Sequence, residues 1–197
     1  MAGGWALKNT FVYPIQVVSV QTQFQRIDIY DVVKHNKQKL ESYEELLLSQ
    51  HGPHESYDQP LFRPDRRILL DGWIQSTLYN EASYHEALVH PAMFSHVNPK
   101  RVAIVGGGEG ATLREVLKHN TVQEAIMIEI DEMMVNVSRS FIPEWSDCRD
   151  LVGSTPWCVD DPRARVYYED ALGWFMDRYY DGDKSEKPMD VVIIDAL

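Results

Sequence analysis

Four carboxylates, Glu109, Glu129, Asp170 and Asp195, each follow an apolar, strand-like run, and the first lies inside the glycine loop Gly106-Gly107-Gly108-Glu109-Gly110. A glycine loop between a strand (Arg101 to Val105) and a helix (Ala111 to His119) normally offers backbone N–H groups and a helix N-terminus to an anion. An acid planted there works against a pyrophosphate. The group bound at this spot is expected to be cationic, which points away from NAD or ATP and toward a nucleoside carrying a sulfonium or an amine. Glu129 lies a little over 20 residues beyond the first loop glycine, the spacing at which a carboxylate accepts from both ribose hydroxyls. Asp170, at the end of the third strand, is placed to accept from an adenine amino group. Asp195 would stand near the ligand's reactive end, where an acid takes a proton from a nucleophile.

The elements that position these acids read as alternating strands and helices after Pro99. Strands are expected at Arg101 to Val105, Ala125 to Glu129, Arg165 to Tyr168 and Met189 to Ile194, with helices at Ala111 to Lys118, Met133 to Phe141 and Leu172 to Tyr180. Such alternation gives an α/β fold with a parallel, Rossmann-like sheet, whose ligands bind beyond the carboxyl ends of the strands. Residues 1–96 read differently. Ile15 to Tyr30 and Arg67 to Trp73, the latter ending on the turn pair Asp71-Gly72, predict a small antiparallel β-region. Lys39 to Gln50 is compatible with a helix, and Ser83 to Ser95 predicts a helix that Pro91 should kink or end. The domain boundary is expected near His96, with a nucleoside-binding domain over 97–197.

Composition bounds the function. The 197 residues, 44% hydrophobic and 25% charged, suit a globular protein with a proper core. A net charge of −11 disfavours sequence-independent phosphate binding, hence nucleic acid, and favours small cationic partners. Cys148 and Cys158 lack the paired spacing of a zinc site and are expected as reduced thiols in a cytoplasmic protein. No stretch approaches a membrane span and no basic segment leads into an apolar run at the N-terminus. His85, His90 and His96 read as packing and capping residues, and no metal is expected. The aromatic group Tyr167, Tyr168, Trp174, Phe175, Tyr179 and Tyr180 reads as core.

The ordered set Leu70-Asp71-Gly72-Trp73-Ile74-Gln75, Tyr84-His85-Glu86, His90-Pro91, Asn98-Pro99, the loop Gly106 to Gly110, Leu113 to His119, Glu129-Ile130-Asp131 and Phe141-Ile142-Pro143 resembles the polyamine aminopropyltransferases, the spermidine and spermine synthase family. The resemblance runs over roughly Gln21 to Leu197, apart from Lys37 to Arg63, which is longer than the family usually shows. It implies a methyltransferase-like fold with a small N-terminal β-domain and transfer of an aminopropyl group from decarboxylated S-adenosylmethionine, as co-substrate, to a polyamine amine, without a prosthetic group. By the same resemblance Glu109 binds the donor's ammonium, Glu129 with Ile130 the ribose, and Asp170 with Ala171 the adenine. Gly106, Gly107 and Gly108 form the loop around the donor, Gln25, Gln75 and Tyr84 match nucleoside-side or aminopropyl-side positions, His85 matches the polyamine site, and Asp195 the proton acceptor. A homodimer or higher homo-oligomer is implied.

Glu109 in place of Asp, Asp170-Ala171 in place of an Asp-Gly pair, and Asp195-Ala196-Leu197 in place of an Asp-Ser-Ser ending resemble thermospermine synthases, as do Pro143-Glu144-Trp145 and Asp160-Asp161-Pro162-Arg163. Spermidine is then the expected acceptor, with putrescine the alternative. Family members continue past Asp195 with a second acid, a gating segment and further strands. The chain is therefore expected to be a piece of a longer protein, or a truncation with a half-built pocket, an exposed edge strand and no activity of its own. Two other classes stay open: a methyltransferase using the intact cofactor, which Glu109 should repel, and a noncatalytic nucleoside-binding protein.

Overall fold

A computed structural model of the chain describes residues 12–34, 64–180 and 187–196. The segment 37–63, with its helix-compatible stretch, lies outside them. The chain divides into two compact units, one formed by Met1–Gln21 and Gln25–Tyr79, the other by Thr22–Phe24 and Asn80–Leu197. This division falls after Tyr79 rather than near His96, because the helix before His96 belongs to the second unit.

In the first unit β1 (Val12–Gln21), β2 (Arg26–Lys34), β3 (Asp65–Leu70) and β4 (Trp73–Thr77) form an antiparallel sheet in sequence order. The run read as one strand-like stretch, Ile15 to Tyr30, is thus two strands with a turn between them. Asp71-Gly72 closes the two-residue hairpin between β3 and β4, both residues at positive φ (50° and 85°), the pair a type I′ turn demands. Asp31 and Arg66 stand opposite each other in β2 and β3, both buried, joined by two hydrogen bonds of 2.7 Å. A buried pair of this kind fixes the strand register, since a one-residue slip would strand both charges.

The second unit carries α1 (Glu81–Ser95), β5 (Arg101–Gly106), α2 (Ala111–Leu117), β6 (Glu124–Ile128), α3 (Glu132–Phe141), β7 (Ala164–Tyr167), α4 (Ala171–Phe175), which continues as a π-turn over Met176–Tyr180, and β8 (Val191–Asp195). The four strands pair in parallel in the order β7-β6-β5-β8. Alternation along the strands splits the core. Val102, Ile104, Ala125, Met127, Val191 and Ile193 pack on one face with Val89 and Met93 of α1 and Leu113, Val116 and Leu117 of α2. Ala103, Ile126 and Ile128 pack on the other face with Trp174. The helix at 81–95 runs unbroken through Pro91. Pro91 and Ala87, whose carbonyl loses its N–H partner, are both exposed, so water can replace the missing bond.

Two expectations are corrected. Cys148 and Cys158 are not reduced thiols: they form a buried disulfide, their Cα atoms 5.0 Å apart, next to the backbone bridge between Cys148 and Thr155. The loop between them folds back on itself, which a spacing of ten residues does not announce. The aromatic group is core only in part, since Tyr168 and Tyr180 are exposed while Trp174 is fully buried.

The disulfide predicts a chemical result. Under denaturing alkylation the unreduced protein should take up no label and the reduced protein two, and reduction should lower the thermal midpoint, a loop this short contributing about 3 kcal/mol or less. Labelling of unreduced protein would remove the bond.

Candidate active site

Three side chains meet beyond the carboxyl ends of β5 and β8. Asp195 is the last residue of β8 and pairs with Gly106, the last of β5. Gly106 has φ of +79°, and a Cβ there would run into the Asp195 backbone, so only glycine lets the two strand ends lie together. The chain then turns through the loop, carrying Glu109, into α2, whose N-cap is Gly110 at φ +81° against Ser146. From α1, His85 points to the same place. One ligand atom each from His85, Glu109 and Asp195 falls within 4.8 Å of the other two.

Hydrogen bonds define the cluster. His85 Nε2 is 2.9 Å from Glu109 Oε1, and His85 Nδ1 is 2.7 Å from the Glu81 carbonyl oxygen. Tyr84 donates its hydroxyl to Asp195 Oδ1 at 3.1 Å, and Thr112 donates to Asp195 Oδ2 at 2.6 Å. Both oxygens of Asp195 are therefore held by protein donors, which fixes the carboxylate plane.

The electrostatics follow from crowding. Burial, then the Glu109 charge, push Asp195 up from the usual carboxylate range, opposed by Thr112, His85 and Tyr84. Burial works against a charge on His85, but the hydrogen bonds to Glu109 and Glu81 outweigh it and raise the ring to about 10. Burial and Asp195 raise Tyr84 to about 12, so its hydroxyl keeps the proton it donates. With both ring nitrogens of His85 turned to oxygen acceptors, no imidazole lone pair faces the cluster. The arrangement suits a cation that brings its own N–H donors better than a metal ion.

Glu129 stands one residue beyond β6, buried, its Oε1 accepting the Asp131 N–H at 2.9 Å, and burial raises its pKa. Ile130 is exposed beside it. Asp131 caps α3 and accepts from Thr22 at 2.8 Å. Asp170 caps α4, accepting the Gly173 N–H at 2.7 Å, and Ala171 opens that helix. Gln25 precedes β2 and Gln75 lies in β4 of the first unit. His90 pairs with His119 at 3.0 Å and His96 accepts the Asn98 N–H, so of the three histidines read as packing or capping residues His85 alone enters the cluster.

Sequence reasoning gave no role to Thr112, Glu81 or Arg114. Glu81 stands one helical turn before His85, the only signal in the chain that joins them. Arg114 lies on α2, and its guanidinium meets both Glu81 oxygens at 3.2 and 2.8 Å.

Comparison with known proteins gives one coherent picture. A family model described as the spermine/spermidine synthase domain matches residues 81–197. Polyamine aminopropyltransferase 1 of Hyperthermus butylicus is 48% identical over 130 residues, which are 66% of this chain and 40% of the relative. The polyamine aminopropyltransferase of Aeropyrum pernix is 48% identical over 130 residues, 66% of this chain and 37% of the relative. Among solved structures, a spermidine synthase in complex with the transition state analogue AdoDATO is similar at a TM-score of 0.64 and 31% identity, covering 92% of this chain and 46% of that one. Spermidine synthase from Thermotoga maritima gives a TM-score of 0.64 and 30% identity, covering 95% and 50%. The chain spans about two-fifths of the curated relatives' length.

His85 makes stability depend on pH in a stated direction. Its folded pKa lies above the ordinary 6.5, so the ion stabilises fully below about pH 6.5 and that contribution is lost as pH rises through about 10. Urea midpoints of the protein and of His85→Gln should differ most near the acid end of this window and converge toward its alkaline end. A gap that widens with rising pH would contradict the assignment.

Proposed function

Because the chain belongs to the spermine/spermidine synthase domain family, we propose that it carries the donor side of an aminopropyltransferase, which moves an aminopropyl group from decarboxylated S-adenosylmethionine to a polyamine amine and releases methylthioadenosine. The observation that carries the reading is the pairing of Glu109 with Asp195 around His85. A donor that kept its methionine carboxylate would bring a third anion to that place. At about 4 Å and an intermediate dielectric such a repulsion is worth about 4 kcal/mol.

In this reading Glu109 turns its second oxygen, Oε2, to the donor's ammonium while Oε1 stays on His85. Glu129 and Ile130 take the ribose. Asp170 and Ala171 take the adenine edge, Asp170 with the oxygen that does not cap α4. Tyr84 lies on the aminopropyl side, and the loop glycines Gly106, Gly107 and Gly108 admit the ligand against the backbone. The acceptor arrives as an ammonium and must lose a proton to attack. Asp195, raised by burial and by Glu109, takes it. The amine nitrogen then bonds the donor carbon as the carbon–sulfur bond breaks, the electron pair passing to sulfur, which leaves as a neutral thioether. Holding the two in line supplies much of the remaining acceleration.

Spermidine, giving thermospermine, is the acceptor we favour, supported by Glu109 within the loop and by Asp170-Ala171 and Asp195-Ala196 at the strand ends. Putrescine is the alternative. We place the protein in the cytoplasm as a homo-oligomer, on family grounds. No helix among the described residues is long and apolar enough to cross a membrane. A buried disulfide is unusual in a reducing cytosol, intracellular proteins of hyperthermophiles being the exception.

Calorimetry should show decarboxylated S-adenosylmethionine binding at least about tenfold tighter than the intact cofactor, a fraction of what the repulsion allows. Tighter binding of the intact cofactor would turn the reading to a methyltransferase. In the intact enzyme Asp195→Asn should cut turnover by about 100- to 10,000-fold with methylthioadenosine affinity nearly unchanged, and an unaltered rate would remove Asp195 as the base.

A further inference from the structure

His85 is wholly buried and both its nitrogens face oxygens that only accept. Nδ1 lies 2.7 Å from the Glu81 carbonyl and 3.3 Å from Glu81 Oε2, and Nε2 lies 2.9 Å from Glu109 Oε1. A neutral imidazole has one N–H, so either tautomer would aim a lone pair at an oxygen. Only the imidazolium satisfies both sides.

Behind it, Glu81 is itself pinned. Arg114 reaches both its oxygens, and the same guanidinium donates to Glu115 at 2.9 Å and to the Trp145 carbonyl at 2.7 Å. Glu81 and Arg114 are each 9% exposed and Glu115 is fully buried. Lys118 stands on Glu115 at 2.7 Å. The groups facing His85 are thus Glu81 and, edge-on at 4.9 Å, Tyr84 from its own helix, Glu109 from the glycine loop, Asp195 from β8, and Arg114 from α2 acting through Glu81.

Resting on the proposed transfer reaction, we infer that Glu81 is a positioning residue for it: paired with Arg114, it holds His85 as a fixed cation that keeps Glu109 and Asp195 ionised side by side. Two carboxylates this close, without a cation, share a proton. A protonated Asp195 cannot take the amine's proton, and a protonated Glu109 cannot hold an ammonium. The substrate could supply the missing charge only after binding, whereas His85 supplies it beforehand. Glu81 and Arg114 cancel, and Lys118 offsets Glu115. Two anions and one imidazolium remain, presenting a single net negative charge that one ammonium neutralises.

Glu81 also opens α1, where an acid is favourable for the helix dipole alone, so the test must separate charge relay from helix capping. Glu81→Gln keeps the shape and an acceptor for Arg114 while removing the charge. Nitrogen-15 spectra of the His85 ring in the 197-residue chain should show both nitrogens protonated at neutral pH. In Glu81→Gln the buried ring should lose its proton below neutral pH, so that Glu109 and Asp195 are left without their cation where binding is read, while Glu86→Gln, on the exposed side of the same helix, should leave the titration unmoved. Calorimetry of decarboxylated S-adenosylmethionine binding, from about pH 5 to about pH 9, should show the acid fall in affinity displaced to higher pH in Glu81→Gln.

A neutral His85 ring in the unmodified chain, or a ring still protonated at neutral pH in Glu81→Gln, overturns the proposal. A moved titration with an unmoved affinity profile overturns the role in the reaction. Absence of any binding of decarboxylated S-adenosylmethionine by the unmodified chain sinks the transfer reading and the role with it, leaving the coupling of Glu81 to His85 to be decided by the ring spectra.

Discussion

Two carboxylates brought to one buried place are unstable as a pair unless a positive charge stays with them, and in this chain the charge is the His85 ring. That requirement accounts for much of the second unit. It accounts for α1 packing on α2 with polar groups at the contact, because His85 needs Glu81 behind it and Glu81 needs Arg114. It also accounts for Glu81, Arg114 and Glu115, three of the ionic groups buried in the second unit. Replacing such networks by apolar residues is often neutral or stabilising. Their place is set by what stands at their end.

The glycine loop shows the same priority. A strand, a loop with Gly106 and Gly107 at positive φ, and a helix N-terminus are parts from which anion sites are built. Here the loop carries its own anion. Glu109 takes the place a phosphate would occupy in charge, and its partner is the His85 ring. Backbone geometry alone would have suggested the opposite ligand.

How much of this was legible in the sequence depended on whether an element's meaning is local. Glu109 and Asp195 were readable because each ends or follows a strand, and parallel pairing carries such residues to one edge. The Asp71-Gly72 hairpin was readable because only a few residue types accept its φ values. Glu81 and Arg114 were not: an acid opening a helix and an arginine in the next helix are ordinary until α1 lies on α2 and the two meet at 2.8 Å. Thr112 was hidden for the same reason, since its hydroxyl acquires a use only when β8 brings Asp195 to it. The Cys148–Cys158 bond, the unbroken helix through Pro91 and the exposure of Tyr168 and Tyr180 depend on where the chain returns, and residue type carries no record of that.

The choice of Glu in the loop then acquires a physical sense. Glu109 Oε1 is engaged by His85, and Oε2 has no protein partner among the described residues. A side chain one methylene longer than Asp carries the carboxylate farther from the loop backbone, to the buried ring of α1. One oxygen can then be given to the imidazolium and the other to an incoming ammonium. Asp195 divides its oxygens differently, each accepting from one hydroxyl and keeping a second lone pair for a proton. In the proposed reaction the first acid holds a cation and the second takes a proton. Hydrogen bonding thus sets the two carboxylates apart: Glu109 meets one imidazole, Asp195 two hydroxyls.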